Sequence, residues 1–127
     1  MVDTEKRLFQ SLRIVYYFVR DLQRAIRFYE DVLGLKIKFV ERDWAEFEPV
    51  GGMTLALHAG SHGRQPGGQG GATASFQVDD ILAVKDYLEG KGVVLNHPPE
   101  NLGGLEFAEF SDPDGNVLGL VQYDDRE

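Results

Sequence analysis

Hydrophobic and polar positions along this chain change period in an order that is written twice. Arg13 leads into Ile14-Val15-Tyr16-Tyr17-Phe18-Val19, a β-branched and aromatic run that predicts a strand buried on both faces. Asp21 then stands at an N-cap position. Leu22, Ala25, Ile26, Tyr29 and Leu33 recur at helical spacing, with Gln23, Arg24, Arg27, Glu30 and Asp31 on the opposite face, until Gly34 stops the helix. Three strand-like stretches follow, Lys36 to Arg42, Trp44 to Glu48 and Met53 to His58, the last two joined by a turn at Pro49-Val50-Gly51-Gly52.

The same order returns. Thr73 to Val78 reads as a strand, and Asp79 or Asp80 as the next N-cap. Ile81, Val84, Tyr87 and Leu88 mark an amphipathic helix closing near Gly90 and Gly92. Val93 to Leu95, Leu105 to Ser111 and Val117 to Tyr123 predict three further strands. The last two meet at Asp112-Pro113-Asp114-Gly115-Asn116. There proline presets one turn dihedral, the Asx side chains bond back to the backbone, and Gly115 supplies a left-handed residue. Val19-Arg20-Asp21-Leu22 aligns with Val78-Asp79-Asp80-Ile81, an offset of 59 residues. The expected fold is therefore α+β, two tandem βαβββ modules over residues 11–58 and 72–123 of a single domain.

Between the modules, residues 59–71 carry six glycines and no large apolar side chain, so the segment is expected to be a surface connection that does not pack. It is not a phosphate cradle, because it opens into a strand and lacks a Gly-Lys-Ser/Thr ending. Met1 to Gln10 forms a mostly polar N-terminal extension, either an extra helical turn or a tail.

Composition narrows the function classes. A chain of 127 residues with 43% apolar and 27% charged residues builds a globular core without staples. With no cysteine there is no disulfide framework and no thiolate chemistry, and a cytoplasmic address is expected. The apolar run Ile14 to Val19 is too short to span a bilayer, so no membrane partner is expected. Thirteen basic against twenty-one acidic residues give a net charge of -8, which repels nucleic acid and suits either simple solubility or a cationic small molecule.

The stretch Phe18-Val19-Arg20-Asp21-Leu22 through Phe28-Tyr29-Glu30-Asp31-Val32-Leu33-Gly34-Leu35, together with Phe110-Ser111-Asp112-Pro113-Asp114-Gly115-Asn116, resembles the vicinal oxygen chelate superfamily of glyoxalases, bleomycin-resistance proteins and extradiol dioxygenases. The resemblance implies that the modules curl into a mixed sheet around a cavity and that a homodimer forms. It also implies a divalent metal, whose ligand positions fall here on Ile14, Ala56, Thr73 and Gly119. None of these side chains is a strong ligand, and a one-residue slip offers only Arg13 or Val15, Leu55 or Leu57, Ala72 or Ala74, and Leu118 or Leu120. No cofactor is therefore expected, unless a divergent metal site is built from His58 and Glu109.

Alternation places Ile14, Tyr16 and Phe18 on the face where the family carries its first ligand. Tyr16 and Phe18, with Trp44 if its strand turns inward, are candidates to stack on a flat or cationic ligand. His58 shares the face of Ala56, whereas His62 falls in the glycine segment and His97 beside Pro98-Pro99, so the three do not compose a zinc motif. A hairpin centred on Asp114 sets Glu109 opposite Gly119, where it could act as a general base or pair with a ligand's cation. Candidate ligand-binding residues are thus Tyr16, Phe18, Trp44, His58, Thr73 and Glu109, with Glu109 and His58 as catalytic candidates. The leading expectation is a metal-independent small-molecule binding protein for an organic, cationic or aromatic ligand. Its rivals are a lyase, isomerase or dioxygenase-like enzyme, and an interaction module whose cavity is collapsed.

Overall fold

The computed structural model describes residues 8–60, 65–67 and 71–123. In the first half, strand β1 (Ile14–Phe18) leads into helix α1 (Leu22–Asp31), which crosses to the far edge of a four-stranded sheet. Strands β2 (Ile37–Glu41), β3 (Trp44–Phe47) and β4 (Thr54–His58) then walk back antiparallel until β4 lies parallel to β1, giving the order β1-β4-β3-β2. The second half repeats this with β5 (Ala74–Gln77), α2 (Ile81–Gly90), β6 (Glu100–Asn101), β7 (Leu105–Ser111) and β8 (Val117–Tyr123), in the order β5-β8-β7-β6. The result is an α+β chain of two mixed sheets.

Local chemistry sets the helix ends. The Asp21 carboxylate accepts from the Arg24 N–H at 3.1 Å, and Asp80, not Asp79, caps α2 by accepting from Leu82 and Ala83. Past α1, Gly34 takes φ +75 and the Leu35 N–H reaches back to the Tyr29 carbonyl at 3.1 Å, which turns the chain toward β2. Each helix covers one face of its own sheet. Ala25, Ile26 and Tyr29 pack on Ala45, Phe47, Leu55 and Leu57, with the Tyr29 and Phe47 rings stacked at 5.8 Å. Ile81 and Leu88 pack with Ala108, Phe110, Leu118 and Leu120, so the two halves share one core.

Three expectations need correction. Strand β1 is not buried on both faces along its length: Ile14 and Tyr16 are 40% and 45% exposed and that face is buried at Phe18, whereas Val15 and Tyr17 on the other face pack against the core. Val93 to Leu95 is not a strand. The Pro98-Pro99 pair behind it offers no N–H to a ladder, and pairing with β7 begins only at Glu100. The described parts of the glycine segment do pack: the Gly67 N–H donates to Asn116 Oδ1 at 2.9 Å, and a Cβ at Gly67 would meet the Asp114 carbonyl. Of the N-terminal extension, residues 1–7 lie outside the described residues. Leu8 and Phe9 carry no helix and are exposed.

The two halves are joined through the β7–β8 turn. Asp112 is buried, and its carboxylate accepts four hydrogen bonds: from Tyr29 Oη at 2.7 Å, from Asn116 Nδ2 at 3.0 Å, and from the Asp114 and Asn116 N–H groups at 2.9 Å. Asn116 Nδ2 also donates to the Phe18 carbonyl at 2.9 Å. Asp114 Oδ1 accepts from the Arg20 N–H at 3.1 Å and from the Arg20 and Arg24 guanidinium groups at 3.2 and 2.9 Å. Tyr17 Oη donates to the Val117 carbonyl at 2.8 Å and accepts from the Ala74 N–H at 3.0 Å. Burial, followed by the Asp112 charge, pushes the Tyr29 phenol well above its usual 10.0, so it stays a donor across the ordinary pH range. Replacing Asp112 with Ala strands buried donors on both halves and is expected to cost about 3 kcal/mol in urea unfolding, against less than about 0.5 kcal/mol for Asp31→Ala on the exposed face of α1. A loss under about 1 kcal/mol for Asp112→Ala would show that the turn does not hold the halves together.

Candidate functional site

Strand register decides which side chains share the open face of the first sheet, opposite α1. Tyr16 lies beside Ala56 and Ala56 beside Glu46; Phe18 lies beside His58 and His58 beside Trp44. These rows bring four rings together. The centroid of Tyr16 is 5.7 Å from Phe18, 5.1 Å from Trp44 and 6.3 Å from His58, and His58 is 5.4 Å from Phe18 and 5.6 Å from Trp44. Most of these contacts are edge-to-face, which leaves ring faces available to a ligand. Trp44 Nε1 donates to Glu46 Oε1 at 3.1 Å, fixing the indole. Gly60 lies against His58, and a Cβ there would come within 2.7 Å of Nε2, so the start of the glycine segment limits where the imidazole can go.

The ring cluster continues into an open cavity of about 450 Å³ at the outer edge of the sheet, lined by Phe39, Glu41, Arg42, Asp43, Trp44 and His58. Arg42 sits in the two-residue β2–β3 turn at φ +55, a conformation that disfavours a residue with a Cβ. The turn thereby sets Glu41, Arg42 and Asp43 around the mouth, two carboxylates to one guanidinium.

The open face of the second sheet has different chemistry. Ser75 lies beside Gly119 and Gly119 beside Glu109; in the next row Gln77, Val121 and Phe107 adjoin. The connection leaving α2 folds back onto this face, where the Asn96 N–H donates to the Glu109 carbonyl at 2.7 Å. That places His97 Nε2 at 3.2 Å from Glu109 Oε1, Nδ1 at 2.9 Å from the Pro98 carbonyl, and the ring at 5.6 Å from Phe107. Both ring nitrogens thus face acceptors. A neutral imidazole has one N–H to give and an imidazolium has two, so the surroundings favour the charged form. His97 is accordingly raised above 6.5, first by the Pro98 carbonyl and then by Glu109.

Of the residues singled out from sequence, Tyr16, Phe18, Trp44 and His58 form one group. Glu109 belongs to the second sheet with His97, while Thr73 is exposed ahead of β5, in neither group. His62 lies outside the described residues. His97 and Phe107 were missed. Phe107 was within reach, since alternation along β7 puts it on the face of Glu109. His97 had no local signal, because its place depends on a non-repetitive loop returning to β7.

The residues at the family's ligand positions do not fit a metal. Ile14 is apolar, Ala56 is fully buried between Tyr16 and Glu46, Thr73 precedes its strand, and any Cβ at Gly119 would run into the Ser75 hydroxyl. Among the described residues no three His, Asp or Glu side chains gather where they could hold an ion. Nor is any helix among them long and apolar enough to cross a membrane.

Paired βαβββ modules, each with its helix on one face and an open sheet on the other, define a class of duplicated α+β proteins. Residues 11–120 match the Glyoxalase/Bleomycin resistance protein/Dioxygenase superfamily, and the chain belongs to it. It is similar to TnmS3, an antibiotic binding protein from Streptomyces sp. CB03234, with a TM-score of 0.78 and 28% identity over 92% of this chain and 98% of that one. A superfamily member from Sphaerobacter thermophilus gives 0.75 and 30% identity over 88% and 96% of the two chains. The uncharacterized protein YetH of Bacillus subtilis is 25% identical over 91% of this chain and all of its own.

The His97 geometry carries a pH consequence. A folded-state value raised above the unfolded one means that the pair's contribution to stability is full below about pH 6.5 and disappears as pH rises through the raised value. On so exposed a pair the energetic effect is small, but the titration itself is readable. Glu109→Gln is expected to lower the His97 midpoint in an NMR titration. An unchanged His97 midpoint would show that the carboxylate does not act on the ring.

Proposed function

We propose that this protein binds a flat organic molecule carrying positive charge on the open aromatic face of its first sheet, without a metal. The observation that carries the reading is the convergence of Tyr16, Phe18, Trp44 and His58 beside Glu41, Asp43 and Glu46. Ring faces attract cations through their quadrupole, the carboxylates supply counter-charge, and a net charge of -8 raises the local concentration of such ligands. The likeness to an antibiotic binding protein supports the same class of ligand-holding, non-catalytic role. The lack of a strong metal ligand at Ile14, Ala56, Thr73 and Gly119 supports the metal-independent form of the reading.

The working unit in this proposal is a homodimer. In one chain both open faces are exposed, with Ile14, Tyr16 and Phe39 each at least 40% accessible, more apolar surface than a ligand site on a monomer usually leaves uncovered. A second copy would cover these faces and shield the ligand from water.

Trp44 is the sole tryptophan, so its fluorescence reports on the site directly. Titration with planar aromatic cations, an acridinium dye among them, is expected to quench it with saturation, and Tyr16→Ala to weaken binding about tenfold, the worth of one aromatic contact. Absence of quenching across the panel, or a stoichiometric tightly bound transition metal in protein purified without chelator, would overturn the proposal. Sedimentation at micromolar concentration is expected to give twice the chain mass.

A further inference from the structure

Two of the strongest features outside the aromatic face are excluded by their own surroundings. Among the described residues the buried Asp114 Oδ2 has no hydrogen-bond partner, but its other oxygen is already held by two arginines that carry its counter-charge. Leu8, Phe9 and Leu12 are exposed and apolar, but nothing in the structure shows what covers them. The second sheet offers more.

We propose that His97 and Glu109 form a proton-linked gate for an ammonium or amidinium group: while His97 is charged it occupies the Glu109 carboxylate, and its deprotonation releases that carboxylate to a ligand cation. This goes beyond the aromatic half-site, since it assigns a role to the second sheet. The pairing at 3.2 Å uses Glu109 Oε1, and the imidazole and Phe107 rings meet at 5.6 Å in an inclined contact, so ring and ligand compete for one place beside one aromatic side chain. The charged groups facing His97 are Glu109 from β7 and Glu100 from β6, whose carboxylate is 4.0 Å from Nδ1. Strand β8 presents uncharged Gly119 beside Glu109 and uncharged Val121 beside Phe107. Ser111 Oγ donates to Asn96 Oδ1 at 3.3 Å, which steadies the loop that carries the imidazole. A neutral His97 cannot serve both acceptors, so loss of its proton loosens the ring at the moment the carboxylate is freed. The Pro98 carbonyl and Glu109 raise the His97 titration above the ordinary 6.5, so the release occurs above that value.

Isothermal titration of the full-length protein with benzamidinium between about pH 5.5 and about pH 8.5 tests the gate. The expected result is affinity rising about tenfold per pH unit below the His97 midpoint and flat above it, with up to one proton released per cation bound, read from buffers of different ionisation heat. His97→Leu is expected to bring the low-pH affinity up to the high-pH value, and Glu109→Gln to remove the pH dependence together with most of the binding. Circular dichroism confirms that each variant is folded. A flat profile in the natural sequence, an undiminished slope in His97→Leu, or no benzamidinium binding at any pH would each overturn the gate. Quenching of Trp44 by the acridinium dye separates the two readings, because it persists if only the gate fails and is absent if the aromatic half-site fails as well.

Discussion

The fold rests on one buried carboxylate. Asp112 gathers four donors, two from its own turn, one from Asn116 Nδ2 and one from Tyr29 of the other half. A carboxylate without those partners would be strongly unfavourable in the core, so the turn conformation, the Tyr29 rotamer and the seating of the second half on the first must form together. Asn116 extends the constraint to the carbonyl of Phe18, a member of the aromatic cluster, and to the glycine segment at Gly67. The end of β1 is thus held by the same joint that closes the β7–β8 hairpin. Placement of Phe18 follows from that coupling together with its burial against the Tyr16 and His58 rings, whereas Ile14 and Tyr16 on the same face stay solvent-accessible.

Duplication gives both halves the same backbone plan and leaves their open faces free to diverge. The helix-covered faces are interchangeable in kind, rows of Ala, Leu and Phe sealed by a helix. The opposite faces are not. The first carries four rings and a carboxylate-rimmed cavity, the second a histidine, two carboxylates and small polar groups. Stability therefore rests mainly on the helix-covered side of each sheet, and in the proposed function recognition falls on the other.

Much of this arrangement was legible in the chain, and the reasons are specific. The helices were marked by Asp21 and Gly34 and by the pairs Asp79-Asp80 and Gly90, Gly92, of which Asp80 is the cap. The hairpin at Asp112 to Asn116 fixed its own register, so the pairing of Glu109 with Gly119 followed from counting. Tyr16, Phe18 and His58 share a face because a strand alternates with period two. What failed depended on long-range contacts. The Val93 to Leu95 run has strand composition, but the prolines behind it and the pull of β7 on Asn96 decided otherwise. The glycine segment was read as unable to pack because it has few side chains, yet Gly60 and Gly67 pack through backbone alone, a use of glycine that composition does not reveal. His97 was set aside because its sequence neighbours are prolines, whereas its spatial neighbours are Glu109 and Phe107.

The loss of the family's ligand positions is also a gain in shape. Ala56 lies in the row between Tyr16 and Glu46, and Gly119 in the row between Ser75 and Glu109. A side chain long enough to reach an ion from either position would occupy the floor of the open face. At Gly119 even a methyl group collides with the Ser75 hydroxyl. Small residues at these two points lower the floor and leave the taller neighbours, Tyr16 and Trp44 on one sheet and Glu109 on the other, standing as walls. Such a surface no longer concentrates charge at a point, as a metal does, but spreads weaker attraction over ring faces and carboxylates. It suits holding a molecule by its area and charge better than polarising one of its bonds. A return to metal chemistry would therefore require rebuilding the floor, with Ser75 changed along with Gly119, and not only restoring the missing ligands.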